Sequence, residues 1–287
     1  MLGGGSRDAG KVALNLSVIV PSPLVKEGQG AGDSRTSPVG LSPAPLPSPQ
    51  GGGESPQGRR GETAAISLCG AQLMADSSGA LYWPAEAALL VADLHLEKGS
   101  SLASRGVMLP PYDTRETLAR LAEAIGRFDP ARVIALGDSF HDTDGTRRIA
   151  GDDLDCLRGL QKGRTWTWIL GNHDPQISPI AGGTFQDMLT LGALTLRHEP
   201  ARAPARGEIA GHLHPTARLS HNGASIRRPC FVGNESRLVM PAFGAFTGGL
   251  NVLDAAFRPL FAGTDFTVWM LGDQALYCVP TRRLSAD

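Results

Sequence analysis

The sequence predicts a layered α/β fold in which β-sheets are flanked by helices. Two observations carry this prediction. Between residues 87 and 170, short apolar runs alternate with segments of helical periodicity, the pattern of strands joined by helices. After residue 189 the helical signal fades, and only short strand-like runs follow. An alternating first half followed by a mostly β second half favours a sandwich of sheets.

The first half contains three predicted strands and two predicted helices. The strands cover residues 87–92, 132–136 and 165–170, each a short run dominated by apolar or β-branched side chains. Asp113 and Glu116 have the spacing of a capping box, which predicts a helix start. The helix that follows carries four apolar side chains on one face: Leu118, Leu121, Ala122 and Ile125. A second helix is predicted over 153–160.

The second half is predicted to contain short strands only. They cover residues 189–197, 207–210, 217–220, 225–232, 237–241, 249–253 and 266–271. Asn222-Gly223 separates two of them and is a typical hairpin turn.

The first 62 residues differ in composition from the rest of the chain. They hold 13 of the 36 glycines and 8 of the 21 prolines, with no aromatic residue and no histidine. Such a segment buries too little apolar surface to offset the entropy lost on ordering. We therefore expect a disordered, low-complexity Gly/Pro-rich tail over 1–62 and one domain over 63–287, long enough for a sizeable core.

Composition excludes several protein classes. No run of 18 apolar residues is present, so we expect no membrane span. The four cysteines are far apart and form no CxxC pair, which excludes a zinc knuckle and favours a reducing, cytoplasmic location. A net charge of −1 excludes a polybasic nucleic-acid coat, although not a local basic patch.

Polar clusters follow five of the predicted strands. They read Asp93-Leu-His95, Gly137-Asp138-Ser-Phe-His141-Asp142, Gly171-Asn172-His173-Asp174, Arg197-His198-Glu199 and Gly211-His212-Leu-His214. Six of the seven histidines lie in these clusters. Because ligand sites of α/β sheets collect beyond the carboxyl ends of strands, the five clusters predict one shared site.

The residue types in the clusters predict a metal centre. Carboxylate, imidazole and amide oxygen, without thiolate, suit Mn²⁺, Fe²⁺ or Zn²⁺ rather than a structural zinc. Seven candidate ligands are too many for one tetrahedral ion and suit two ions that share a bridging carboxylate. The spacing leaves His141 and His221 as alternatives to His198.

In this order, the motifs D-x-H, GD, GNHD, H and GHxH resemble the signature of the calcineurin-like metallophosphoesterase superfamily over about residues 63–260. More narrowly, DLHLEKGSSLASRG, PPYDT, GDSFHD, GNHD, RHEP, GHLHP and FGAFTGGLNV resemble the bacterial ligase-associated DNA damage response endonucleases. The resemblance implies a four-layer α-β-β-α sandwich. It also implies functional partners in an ATP-dependent DNA ligase and a helicase.

The resemblance further implies roles for individual residues. One metal ion would be held by Asp93, His95, Asp138 and His214, and the other by Asp138, Asn172, His198 and His212. His173 would be the general acid, oriented by Asp174, for attack by a hydroxide that two metal ions activate. His141 stands where many members have an acid, and this GDxFH variant is similar to double-strand-break repair nucleases.

The substrate is less constrained than the metal centre. Lys98 and Arg105 follow the first ligand loop and Arg147 and Arg148 the second, so these four are candidate contacts to a nucleic-acid backbone. A metal-dependent DNA phosphodiesterase, an endonuclease of DNA repair, is the leading hypothesis. A small-molecule phosphodiesterase or nucleotide hydrolase, and a non-catalytic scaffold in a repair complex, are the alternatives.

Overall fold

The computed structural model describes residues 62–107, 112–202, 205–222 and 224–287. The predicted disordered tail lies outside these residues except for Glu62. The fold described is therefore that of the predicted domain.

Seven strands form the first sheet, in sequence order. They are β1 (Thr63–Leu68), β2 (Ala71–Asp76), β3 (Leu81–Trp83), β4 (Ala88–Val91), β5 (Arg132–Leu136), β6 (Thr165–Ile169) and β7 (Thr184–Gln186). Strands β1 to β4 are antiparallel, whereas β4 to β7 are parallel. The antiparallel strands β1, β2 and β3 were not predicted from the sequence. Their first turn is Cys69-Gly70, where both residues have positive φ, as a tight hairpin requires.

Four helices lie in the first half of the described chain. They are α1 (Lys98–Ala103), α2 (Asp113–Phe128), α3 (Gly145–Arg148) and α4 (Gly151–Gln161). Helix α2 buries Leu118, Leu121 and Ile125, as predicted, against the outer face of the first sheet. The capping box, however, is wrong. Asp113 lies inside α2, and its carboxylate accepts a hydrogen bond from the Gly99 backbone N–H at 3.0 Å, which ties α2 to α1.

Nine strands form the second sheet. They are β8 (Met188–Leu191), β9 (Leu194–Arg197), β10 (Glu208–Ala210), β11 (Pro215–His221), β12 (Ala224–Gly233), β13 (Arg237–Val239), β14 (Leu250–Asn251), β15 (Thr267–Leu271) and β16 (Leu276–Val279). The predicted strand 189–197 is in fact the β8–β9 hairpin. It turns at Gly192, whose φ is +56°. Strands β9, β10 and β13 are parallel neighbours, so β9 and β10 end at the same edge.

The two sheets pack face to face around an apolar core, which includes Leu90, Leu136 and Ile169 of the first sheet and Leu196 and Phe231 of the second. The predicted α/β sandwich is therefore confirmed, with one difference. The outer face of the second sheet is not covered by an α-helix among the described residues. Phe257 and Phe261, from the irregular segment 252–266, pack there instead.

Among the described residues, no helix combines the length and the apolar character needed to cross a membrane.

Candidate metal centre

The five polar clusters meet at one edge of the sandwich. Strands β4, β5 and β6 of the first sheet and β9 and β10 of the second all end there. The structure places all seven predicted ligands at this edge: Asp93, His95, Asp138, Asn172, His198, His212 and His214. His221 lies elsewhere, exposed at the end of β11. The geometry therefore favours His198 over that alternative.

One group of ligands comprises Asp93, His95 and His214, with ligand atoms within 4.8 Å of one another. His214 Nε2 lies 3.3 Å from Asp93 Oδ1 and 3.2 Å from His95 Nε2. The Nδ1 of His214 is 3.0 Å from the carbonyl of Gly248, to which it donates. In the neutral ring Nε2 is then an acceptor, which is the form that binds a metal ion.

A second group comprises Asp138, His198 and His212, within the same 4.8 Å limit. His198 Nε2 lies 3.3 Å from Asp138 Oδ1, 2.9 Å from Asn172 Oδ1 and 3.2 Å from His212 Nδ1. The other nitrogen of His198 lies 3.0 Å from the Leu136 carbonyl, to which it donates. The two groups contain residues of the two ligand sets that the resemblance implies, with Asp138 in the second group only.

In both ligand groups, carboxylate and imidazole acceptor atoms lie close together, and no lysine or arginine side chain in the described part of the chain satisfies the carboxylates. Asp93 is fully buried and Asp138 is 2% exposed, and no lysine or arginine forms an ion pair with either among the described residues. Buried carboxylates are costly unless a cation or several donors satisfy them. Divalent ions fit this donor set, because they replace lone-pair repulsion between imidazole nitrogens and oxygens with coordination.

The backbone at the site is held in an uncommon conformation. Five of the ten non-glycine residues with positive φ, among those described, are predicted ligands: Asp93, His95, Asp138, His212 and His214. Such conformations cost about 1–3 kcal/mol each and cluster at functional sites. The site also depends on the absence of side chains: a Cβ on Gly171 would overlap Asp138, and one on Gly137 would overlap the ring of His198.

The histidines of the site differ in pKa. Burial, assisted by the neighbouring His214, lowers the pKa of His95 to about 3, so this ring is neutral. Burial also lowers the pKa of His198, but its hydrogen bond to Asp138 and the charge of Asp93 outweigh burial and raise that pKa to about 9. For Asp138, burial raises the pKa, but the hydrogen bond with His198 outweighs it and holds the pKa at about 2. Asp138 is therefore ionised at neutral pH.

His173 lies beside the ligand groups without joining the two sets above. Its side chain is 43% exposed, and Nε2 is 3.9 Å from Asp138 Oδ2. The Nδ1 atom lies 3.0 Å from the carbonyl of His141, to which it donates, and the two rings stack with centroids 5.4 Å apart. A third possible ligand group, His95, His141 and His173, shares this space. The arrangement leaves Nε2 of His173 facing the centre.

Asp174 does not have the expected partner. Its carboxylate accepts hydrogen bonds from the backbone N–H groups of Gly171 at 3.0 Å and Phe140 at 2.9 Å, whereas His173 is held by the carbonyl of His141. Burial raises the pKa of Asp174 to about 7. Asp174 therefore joins the loops after β5 and β6 rather than orienting His173.

Comparison with known proteins supports the same assignment. No protein-family model matches the chain, and no curated protein matches it. Among solved structures, the nuclease MPE of Pseudomonas putida is similar over 76% of this chain and 100% of its own, with 27% sequence identity and a TM-score of 0.58. The chain shares the fold of this nuclease, and its ligand motifs resemble those of the metallophosphoesterases. The phosphoesterase YfcE of E. coli aligns over 69% of this chain and 96% of its own, but its 12% identity and TM-score of 0.31 support no argument.

The four basic residues predicted to contact a nucleic acid differ in their contacts within the protein. Nη2 of Arg148 donates to both carboxylate oxygens of Asp142, at 2.7 and 2.9 Å, and its Nε donates to Ser100. Lys98 donates to the carbonyl of Phe246 at 2.7 Å. Arg105 and Arg147 are exposed, and Arg147 has only a surface contact with Asp144. Arg148 and Lys98 therefore have partners within the protein, whereas Arg105 and Arg147 lie at the surface.

Glu97 was not among the predicted site residues. It is buried, has a φ of +64°, and accepts hydrogen bonds from Thr114 at 2.9 Å and Ser100 at 2.6 Å. Because Ser100 also accepts from Arg148, Glu97 and Asp142 belong to one network that joins the first ligand loop to the second. The only sequence signal was its position two residues after His95.

Proposed function

We propose that this protein is a metal-dependent DNA nuclease that cuts phosphodiester bonds internally. The observation that carries the proposal is the convergence of seven acceptor side chains on one edge, in two groups that each draw on both sheets. The similarity to a protein named as a nuclease, over the whole of that protein's length, supports the substrate class. The resemblance to ligase-associated endonucleases supports a repair role beside an ATP-dependent DNA ligase and a helicase.

Two divalent ions are the proposed cofactors, with Mn²⁺ favoured and Fe²⁺ or Zn²⁺ as alternatives, because the donors are oxygens and imidazoles without thiolate. Asp93, His95, Asp138 and His214 would hold one ion, and Asp138, Asn172, His198 and His212 the other. Bound ions would neutralise charge on the phosphoryl oxygens and make water acidic enough to attack at neutral pH.

The chain's own residues position the phosphate and move the proton. His173 presents Nε2 to the centre and is fixed through Nδ1 by the carbonyl of His141, so its protonated ring is placed to donate to the departing ester oxygen. General acid catalysis of this kind contributes about 10²–10⁴-fold. The ring of His141 stacks on His173 and restricts its rotation. Lys98, Arg105 and Arg147 remain proposed contacts to the DNA backbone.

A cytoplasmic location is also proposed. The four cysteines are free, and Cys156 and Cys278 are exposed, which suits a reducing compartment.

The proposal is tested with metal-stripped protein reloaded with Mn²⁺ and assayed on three substrates: circular single-stranded DNA, linear duplex DNA and bis(p-nitrophenyl) phosphate. We expect metal-dependent cleavage of the circular substrate, which only an endonuclease can cut. An Asp138→Asn variant, treated identically, controls for a contaminating nuclease. Hydrolysis of the chromogenic diester with no cleavage of DNA would instead favour the small-molecule phosphodiesterase, for which no separate structural observation speaks.

A further inference from the structure

A cleft of about 290 Å³ adjoins the second ligand group, between the ends of β6 and β9. Asn172 and His198 line its inner end, so the cleft begins at the proposed metal centre. Leu170 and Pro175 provide apolar surface, and Arg197 is the one arginine or lysine among the residues that line it. The cleft is thus continuous with the site and has a different chemistry from it.

The positive charge of Arg197 is only partly matched inside the protein. Its neighbour Glu208 is already engaged, since Glu208 Oε2 lies 2.6 Å from Arg237 Nε and Oε1 accepts from the Ala201 N–H at 2.9 Å. Arg197 approaches that carboxylate only to 3.8 Å. Within the described part of the chain, its buried Nε has no hydrogen-bond partner. Two guanidinium groups therefore share one carboxylate, and Arg197, whose side chain is 38% exposed, is left to face the cleft.

We propose that this cleft binds the nucleotide next to the scissile phosphate, with Arg197 contacting the phosphate that links that nucleotide to the rest of the strand. This inference rests on the proposed nuclease function. A guanidinium binds phosphate oxygens through two parallel hydrogen bonds, and Leu170 and Pro175 offer apolar contact to a sugar or base. The volume is close to the lower end of that of small-molecule sites.

Two acidic residues at the cleft limit which anion it accepts. Asp187 and Glu199 line it and are exposed. Their charges oppose a second phosphate or a dianionic terminal phosphate, so the cleft suits one monoanionic internucleotide phosphate. The enzyme should therefore act more efficiently on a DNA strand, which carries a second phosphate for the cleft, than on a small diester without one.

The test compares Arg197→Gln with Arg115→Gln, which removes an exposed arginine of α2 that contacts only Asp153. The measured quantity is the ratio of kcat/KM for a short single-stranded DNA to that for bis(p-nitrophenyl) phosphate. Loss of one charged hydrogen-bonding group predicts about a 10-fold to 100-fold fall in this ratio for Arg197→Gln and no change for Arg115→Gln. Metal content and melting temperature confirm that both variants retain the site and the fold.

A substrate modification gives the second half of the test. Replacing single phosphates flanking the scissile bond with neutral methylphosphonates should reproduce the loss in the wild-type enzyme at one position. At that position Arg197→Gln should add no further loss, because the two changes remove the same contact. An equal fall in kcat/KM on DNA and on the small diester would overturn the proposal, as would unchanged kcat/KM on both substrates. Failure of the wild type to cleave DNA at all would overturn the proposed function and this subsite with it.

Discussion

Two buried polar groups of the protein differ in how their charges are matched. Arg237 and Glu208 lie in the second sheet, both 2% exposed, with 2.6 Å between Nε and Oε2. Arg237 also donates to the carbonyls of Leu260 and Ala201, so this pair is completed by the chain itself. The ligand groups around Asp138 contain carboxylates and imidazoles that the described chain completes with no lysine or arginine.

The difference separates structure from function. A buried pair completed within the chain contributes to folding, and breaking it leaves an uncompensated charge. A buried cluster that lacks cations is stabilised by ions from outside, and changing it affects those ions first. Substitutions in the two groups should therefore have separable effects, which run from large losses of activity to small changes in stability.

Asp138→Asn should abolish turnover more completely than any other ligand change. The amide keeps the shape of the carboxylate but lacks the charge that offsets repulsion between two divalent ions. We expect a loss of activity of at least the roughly 10⁴-fold upper limit for losing a general acid, because the ions themselves are affected. Elemental analysis, beside Asp93→Asn and Asn172→Ala, should find the second equivalent of metal weakened most. Two full equivalents with near-normal activity would show that Asp138 is not the bridge.

His173→Ala should retain both metal equivalents and lose about 10²–10⁴-fold in turnover on DNA. The residue is assigned to proton donation, so diesters with acidic leaving groups, which need little protonation, should lose less. The measurement is kcat for a series of aryl diesters. The acid role is wrong if the loss is the same across leaving groups.

Arg237→Met should lower the free energy of unfolding by about 3–5 kcal/mol, because buried Glu208 loses its close cation and keeps only Arg197, at 3.8 Å. Urea unfolding measures the change. The double variant Arg237→Met with Glu208→Gln should recover much of the loss, since the amide carries no charge and still accepts from Ala201. Metal stoichiometry should stay at two in both variants. A loss of metal would show that the two polar groups are not independent.

Gly171→Ala and Gly159→Ala form a matched pair. A Cβ at Gly171 would overlap Asp138, so this variant should lose metal and activity, with a smaller loss of activity than Asp138→Asn. Gly159 lies in α4, where a Cβ would meet no neighbouring atom within 4 Å, so alanine there should stabilise the protein by about 0.4–1 kcal/mol. Calorimetry and metal analysis distinguish the two, and equal behaviour would contradict the crowding at Asp138.

The positions of the ligands could be predicted because each follows a strand whose apolar run is visible in the sequence. Parallel pairing of β4, β5 and β6 then brings the strand ends together without further information. The partners of Asp113 and Asp174 could not be predicted in this way. Both carboxylates are satisfied by backbone N–H groups, of Gly99 and of Gly171 and Phe140, whose positions depend on the folded loops.

The roles of Arg197 and Glu97 could not be predicted from the sequence either. Each stands next to or near a ligand motif, but its role depends on a residue distant in sequence, Glu208 for one and Thr114 for the other. The outer layer of the second sheet was also not predictable. Aromatic side chains at Phe257 and Phe261 cover it from an irregular segment with no helical periodicity.

Each ligand group takes side chains from both sheets: Asp93 and His95 face His214, and Asp138 faces His198 and His212. An ion held by either group would therefore link the two sheets across the open edge of the sandwich, without a covalent bond. At a free metal concentration about 1,000 times Kd, such a link adds about 4 kcal/mol to the stability of the closed form. Chelation should accordingly loosen this edge before either sheet, so that amides at the ends of β9 and β10 exchange with solvent sooner than those in the middle of β5.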